Sequence, residues 1–346
     1  REAVQQGDLQ AGDPLPSSRE LAQTLGIARG TIIEVYDQLI AEGVLEARAR
    51  QGTFVSHALK SPNLPAVSTQ SIDTESLTDA ARTYAEIFKE FKPLAHRPFA
   101  ISVPTERTQP SDAWRKFGNR FRARGVAVPS GYDDPQGVYA LRSAIADYVR
   151  RSRSVQCEPE QIVITSGIQQ ALYLCSQILF TKHDAVWVED PAYRGTTAIL
   201  ENSLHKLQIN RVPVDEDGIL VKKGIELAPQ ARAAFVTPSH QYPLGMPMSL
   251  ARRTELVAWA KQQRAWVVED DYDSELRYTG QPFPALQAMA PDQVIYLGTF
   301  SKVLFPSLRL GYAVLPKVLV APFCGLRALI DRHPPSADQH VLAAFI

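Results

Sequence analysis

Residues 293–312 read QVIYLGTFSKVLFPSLRLGY, in which an apolar strand runs into Thr299, Ser301 and Lys302, with Arg309 seven residues after the lysine. An isolated Ser-Lys pair after a strand is ordinarily a solvent-facing lysine, so the reading depends on what accompanies it. In AWVVEDDYDSE at 265–275, apolar Trp266, Val267 and Val268 lead into Asp270, Asp271 and Tyr272. In QIVITSGIQQALYLCSQILF at 161–180, a β-branched run is followed by Ser166-Gly167 and a helical pattern, which puts Gly167 and Gln169 where a helix begins. AVWVEDPAYRG at 185–195 delivers Tyr193, and AAFVTPSHQYPLG at 233–245 delivers His240, Gln241 and Tyr242. Strands alternating with helices predict an α/β fold with a mostly parallel sheet, and in such sheets ligands collect beyond the carboxyl ends of the strands. All five segments supply their polar residues at that end.

The chemistry that this set suits is that of pyridoxal phosphate (PLP). An amine forms the Schiff base, a carboxylate pairs with the protonated pyridine nitrogen and makes the ring an electron sink, and the free amides at a helix start attract the phosphate. Plainer readings stand beside each assignment. Tyr193 and Tyr272 also suit satisfied core tyrosines. Arg309 also suits a simple ion pair, and His240 either a structural hydrogen bond or contact with an effector. Asp271 and Asp273 are expected to be a solvated or helix-capping pair.

The first part of the chain has a different pattern. In residues 7–56, Ser17 or Ser18 caps a helix with apolar Leu21, Ala22 and Leu25, and Gly26 breaks it. A second helix begins near Ala28, with Ile32, Val35, Tyr36, Leu39 and Ile40 on one stripe and Arg29, Gly30 and Thr31 exposed at its start. The residues opening a second helix are those that meet base edges when a helix-turn-helix enters the major groove. Gly43–Arg48 and Gly52–Val55 follow as two short strands around a basic tip, which completes a winged helix-turn-helix.

Two family resemblances rest on these segments. TSGIQQAL, EDPAYRG, TPSHQYPLG, EDDYDSE and GTFSK with LRLGY resemble the fold-type I aminotransferases, and more closely their regulatory relatives, the MocR-type branch of the bacterial GntR family. The resemblance implies that Lys302 forms the Schiff base, Asp270 pairs with the pyridine nitrogen, Tyr272 contacts the ring hydroxyl and Tyr193 stacks on the ring. It implies a phosphate cup from Gly167, Ile168, Gln169, Thr299, Ser301 and Arg309, although Ile168 stands where a small hydroxylated residue is usual. YDDPQGVYALR at 132–142 is similar to a segment whose tyrosine, here Tyr132, reaches the phosphate of the other subunit, which makes a homodimer the expected state. LPSSRELA, VYDQLIAEG and GTFVS resemble the GntR-type DNA-binding domain, with a first helix that starts midway at Arg1. On that resemblance Ser18 and Arg19 bind phosphate or base, Arg29, Gly30 and Thr31 read or position DNA, and Arg48, Arg50 and Gly52 place the wing.

The expected organisation is a winged helix-turn-helix at 1–56, a linker at 57–97 and an aminotransferase-like domain at 98–346, with the family's small C-terminal domain, which usually carries a carboxylate-gripping arginine, absent from this sequence. The linker combines SPNLPAVSTQS, expected to be extended, with an amphipathic docking helix carrying Leu77, Tyr84, Ile87, Phe88 and Phe91 on one face. Such a linker is expected to let head and body move relative to one another. Charge does not announce nucleic acid. The chain has 37 basic and 37 acidic residues, and residues 1–60 hold six Lys or Arg against eight Asp or Glu. Only the placement of a few arginines favours DNA, so useful affinity is expected to need two heads on one operator. Three scattered cysteines among 346 residues form no metal or disulfide framework and fit a reducing cytoplasm, and no apolar run approaches a membrane span. The implied function is a PLP-dependent regulator that binds double-stranded operator DNA and senses an amino compound, or PLP itself, at Lys302. The alternative is a working aminotransferase with an appended DNA-binding-like module.

Overall fold

The computed structural model describes residues 2–59, 76–91, 112–124, 131–276 and 283–346. The chain folds as two units, Arg1–Glu90 and Phe91–Ile346. The extended part of the linker, with SPNLPAVSTQS, lies outside the described residues.

In the first unit, helices Ser18–Leu25 and Arg29–Ala41 are followed by the antiparallel hairpin β1 (Leu45–Arg48) and β2 (Gly52–Val55). Ala22, Ile32, Tyr36, Leu45 and Val55 form its small core, and the Tyr36 hydroxyl donates to the Pro16 carbonyl at 2.8 Å. Ser17 is the cap, accepting from the Glu20 amide, while Gly26 ends the helix at φ 66°. Val35, counted with the apolar stripe, is 45% exposed, because it lies at the stripe's edge and the core is too small to reach that far. Helix Asp79–Glu90 buries none of its residues, and Phe88, on the face expected to dock, is 75% exposed.

The second unit is built on strands β3 (Ile162–Thr165), β4 (Ala185–Asp190), β5 (Gln208–Asp215), β6 (Gly218–Ile219), β7 (Ala233–Val236), β8 (Trp266–Asp271), β9 (Val294–Thr299) and β10 (Gly311–Val314). Their order in the sheet is β3-β10-β9-β8-β7-β4-β5-β6. The pairs from β9 through β5 are parallel, whereas β10 runs antiparallel to both its neighbours and β6 is a short antiparallel return. Strands covered on both faces need continuous apolar runs rather than alternation. That is what Ile162–Val163–Ile164 and Ala233–Val236 supply, all of them buried. The mostly parallel α/β sheet is as expected from the sequence.

The reversed strand matters for the site. Because β10 is antiparallel, its amino end lies beside the carboxyl ends of β3 and β9, with Gly311 opposite both Thr165 and Thr299. A Cβ at Gly311 would come within 2.8 Å of the Gly167 Cα and 2.9 Å of the Gly298 carbonyl. Only glycine lets three strand ends close up this far. Strand β8 ends in three buried acids, Glu269, Asp270 and Asp271. Alternation sends the outer two to one face and Asp270 to the other. Glu269 accepts from the Leu286 and Gln287 amides at 2.9 and 3.1 Å. Asp271 pairs with Arg153 at 2.9 Å and accepts from the hydroxyls of Tyr296 and Ser274. Asp271 is therefore a buried ion-pair partner and not the solvated or capping residue expected, because its face packs against the helix Tyr139–Arg153.

Candidate functional site

A cavity of about 190 Å³ opens at the carboxyl ends of the parallel strands. Gly167, Ile168 and Gln169 from the start of helix Ile168–Ile178, together with Thr299, Ser301 and Arg309, line one end of it. Asp270, Tyr272, Tyr193 and Lys302 line the rest. Of the residues expected around the cofactor, only Tyr132 is elsewhere. It is 79% exposed, with the Arg332 guanidinium 4.4 Å over its ring and the His333 ring 6.1 Å away.

Each wall has a local cause. Gly167 takes φ 83° as the helix cap, leaving the first amides of the helix without intrahelical partners, and the Ser166 amide is held by Gln170 Oε1 at 2.8 Å. Arg309 sits at φ 50°, a conformation uncommon for a residue with a side chain, and its Nη2 donates to the Ser166 carbonyl at 2.7 Å. The guanidinium is thereby fixed beside the helix start. Thr299 Oγ1 donates to Ser301 Oγ and accepts from the Ser301 amide, both at 3.1 Å, which orders the turn that carries Lys302. Tyr193 and Tyr242 meet edge-on at 5.4 Å between ring centres, and Tyr242 and Tyr272 at 6.0 Å, so three rings form one aromatic wall. The Tyr272 hydroxyl donates to the His240 carbonyl at 3.1 Å.

Burial dominates the electrostatics. Desolvation lowers the Lys302 pKa, opposed by the carboxylates of Asp273 and Asp270, which favours a neutral, nucleophilic amine. Asp270, 7% exposed, is pushed up to about 8 by burial first and then by Asp271, Glu189 and Asp273. Burial likewise raises the Tyr193 and Tyr272 hydroxyls. Asp273 is half-buried and bonded to His240 Nδ1 at 2.7 Å, so it is a paired group and not a solvated one.

Two features test whether PLP fits. Asp270 Oδ1 is buried without a hydrogen-bond partner, an acceptor that a protonated pyridine nitrogen satisfies. At the other end, a Cβ on Gly167 would lie 3.2 Å from the Arg309 guanidinium, so the absence of a side chain keeps the anion-binding corner open. The residues present fit the group. Among the described residues no His, Cys, Asp or Glu cluster could hold a metal ion, and no helix is long and apolar enough to cross a membrane.

Sequence reasoning assigned no cofactor role to Thr237, Tyr242 or Pro306, which also line the cavity. Tyr242 was readable as a residue of a strand-end loop. Thr237 and Pro306 gave no signal of their own, because a threonine or proline after a strand is common in any α/β protein.

In the head, Arg19, Arg29, Gly30, Thr31, Arg50 and Gly52 are exposed and Ser18 is half-buried. Arg29 opens its helix and its Nε lies 3.4 Å from Ser18 Oγ. Arg50 and Gly52 take positive φ, 62° and 110°, at the hairpin tip. Arg48 differs from the rest: it bonds Glu46 at 2.8 Å through Nε and lies 4.5 Å from the Phe54 ring centre.

Comparison with known proteins agrees with both halves. Residues 102–333 match the aminotransferase class I and II family, and residues 1–55 match the bacterial regulatory proteins of the gntR family. The probable rhizopine catabolism regulatory protein MocR of Rhizobium meliloti is 35% identical over all of this chain and 70% of its own length. The pyridoxine biosynthesis transcriptional regulator PdxR of Corynebacterium glutamicum is 36% identical over all of this chain and 71% of its own length. Among solved structures, the α-aminoadipate aminotransferase LysN of Thermus thermophilus, complexed with N-(5'-phosphopyridoxyl)-L-leucine, superimposes with a TM-score of 0.68 at 26% identity, over 78% of this chain and 69% of that one. With a winged helix-turn-helix at one end and an aminotransferase fold at the other, the chain belongs to the MocR-type branch of the GntR-family transcriptional regulators.

Proposed function

We propose that this regulator holds PLP at Lys302 and senses an amino compound, or PLP itself, there, and that the head binds operator DNA according to that state. The observation that carries the reading is the orphaned Asp270 carboxyl oxygen in the cavity that also holds Lys302, in a chain with a DNA-binding head. When bound, PLP supplies an aldehyde that condenses reversibly with amines. The chain's residues would set the terms. Lys302 would offer an amine whose pKa burial lowers, Asp270 would face the ring nitrogen, and the Gly167–Gln169 amides with Arg309 would anchor the phosphate. Tyr193 covers the ring, and the position of Tyr132 outside its own chain's cavity supports a homodimer in which it serves the partner. An amine effector bound beside Lys302 would change charge and contacts in the cavity, which is the kind of ligand difference that shifts a protein between states. We place the regulator in the cytoplasm, and the units are proposed to run 1–56 and 98–346 with a linker between them.

Borohydride reduction of the PLP-loaded protein followed by peptide mapping tests the cofactor reading. Label is expected on Lys302, and label elsewhere or none overturns it. Screening amines for a change in the PLP absorbance and in operator binding tests the sensing reading. If steady transamination appears without any effect of PLP or amines on DNA binding, the working aminotransferase is the better description.

A further inference from the structure

A second, smaller void of about 10 Å³ shares Tyr193, Thr237 and Asp270 with the cavity. Its lining includes Glu189 from the end of β4, Asp270 from β8, Ala192, Thr196 and Thr237. Glu189 is 2% exposed. Its Oε2 accepts from the Thr237 hydroxyl at 2.6 Å and amide at 3.2 Å and from Gln241 Nε2 at 3.3 Å, which ties β4 to the loop bearing Tyr242. Its Oε1 is buried with no partner, as is Oδ1 of Asp270. Two residues with an orphaned carboxyl oxygen thus line one void; Asp270 Oδ1 has two lone pairs and can accept from the ring nitrogen and from one further donor, while the PLP reading leaves Glu189 Oε1 without a partner.

Leaving one buried acceptor unpaired costs free energy, and two acidic oxygens cannot satisfy each other without a donor between them. A space of this size, about that of one water probe, admits a single water, and buried waters typically make about three hydrogen bonds. Thr196 adds a hydroxyl to the same lining. We propose that one buried water bridges Glu189 and Asp270, and that Glu189 is a positioning residue that holds Asp270 toward the cofactor's ring nitrogen. A water has two protons to donate, one for the orphaned oxygen of each residue. Negative charge on Asp270 is favoured where a protonated ring nitrogen meets it. In the PLP-free chain burial raises both groups, Glu189 to about 7 and Asp270 to about 8, so it is the charge of the ring nitrogen that favours the ionised form of Asp270.

The inference rests on the PLP reading and is tested with the PLP-loaded chain. Three variants separate the bridge from the clamp on Thr237. Glu189→Gln keeps an acceptor for Thr237 and a donor for the void; Glu189→Leu removes both; Ala192→Val leaves the clamp and fills the void. PLP affinity by equilibrium dialysis is expected to stay close to wild type in Glu189→Gln and to fall about tenfold or more in the other two, the size of one hydrogen bond to a charged group. The second readout is the nitrogen NMR shift of PLP labelled at the ring nitrogen. It is expected to report a protonated ring in wild type and Glu189→Gln and a less protonated one in Ala192→Val, whose PLP-free melting temperature is unchanged or raised. Wild-type affinity and shift in Ala192→Val would overturn the water bridge, even if Glu189→Leu is impaired through the clamp. If wild type itself binds no PLP, the cofactor reading has failed and not the bridge.

Discussion

Asp270 has an ordinary residue type in an expensive position. Burial and three neighbouring acids raise its pKa to about 8 from an ordinary value of 3.8. An acid whose folded pKa is raised holds its proton in the folded state to a higher pH than in the unfolded chain. Its contribution to stability is therefore full below about pH 4 and is lost as pH rises toward about 8. Asp270→Asn removes this loss. The PLP-free variant is expected to be more stable than wild type near pH 8, by about 1 to 3 kcal/mol, with the gap narrowing toward about pH 5. Urea denaturation at the two pH values measures it, and a gap independent of pH would show that burial at Asp270 is not the cause. The same variant is expected to weaken PLP binding, since the ring nitrogen loses its charged partner. Legibility varied sharply among the acids. Asp270 could be picked out as a carboxylate at a strand end, but Asp271 could not be told from a solvated neighbour, because its partner Arg153 lies far away in the chain.

At the scale of elements, the head divides its arginines by what holds them. Arg29 opens the second helix with an exposed side chain, whereas Arg48 rests on Glu46 and the Phe54 ring. DNA contact by Arg48 through the nitrogens that bond Glu46 would compete with that pair, so part of its gain is offset. Arg29→Ala is expected to cost about 1 to 3 kcal/mol on the cognate duplex and to relax one operator position. Arg48→Ala is expected to weaken all duplexes alike by a smaller amount and to lower the salt slope. Binding across a salt series on cognate and scrambled duplexes separates the two, and identical behaviour of both variants and wild type would remove DNA reading from these positions. The helices and wing strands of the head were legible from capping, periodicity and turn residues, which are local signals. The exposure of Val35 was not, since periodicity gives a direction around the helix and not the depth of the core it faces.

For the whole molecule, a ligand that binds only the folded body stabilises it by mass action. PLP at about one hundred times its dissociation constant is expected to add roughly 2.7 kcal/mol. Calorimetry should raise the body's transition and leave that of the head, if the two units melt separately; a shift of both by the same amount would mean that they unfold as one. An amine effector should alter operator binding without altering the isolated head's affinity, which a truncated head can check. What the sequence by itself determined was the kinds of structure and chemistry: strands with buried, unbroken apolar runs, a helix start after Gly167, a lysine and a carboxylate at strand ends, and a helix-turn-helix with its wing. Each of these follows from residues within one or two turns of each other, where period and turn chemistry act. Only the tertiary structure decided which strand ends meet. Placing β10 antiparallel between β3 and β9 brought Arg309 to Gly167, alternation in β8 turned Asp270 toward the cavity and Asp271 to Arg153, and the order of β4, β7 and β8 put Glu189 and Asp270 on the lining of one void. Strand order and register depend on contacts between residues far apart in the chain, and those contacts leave no periodic mark on the sequence.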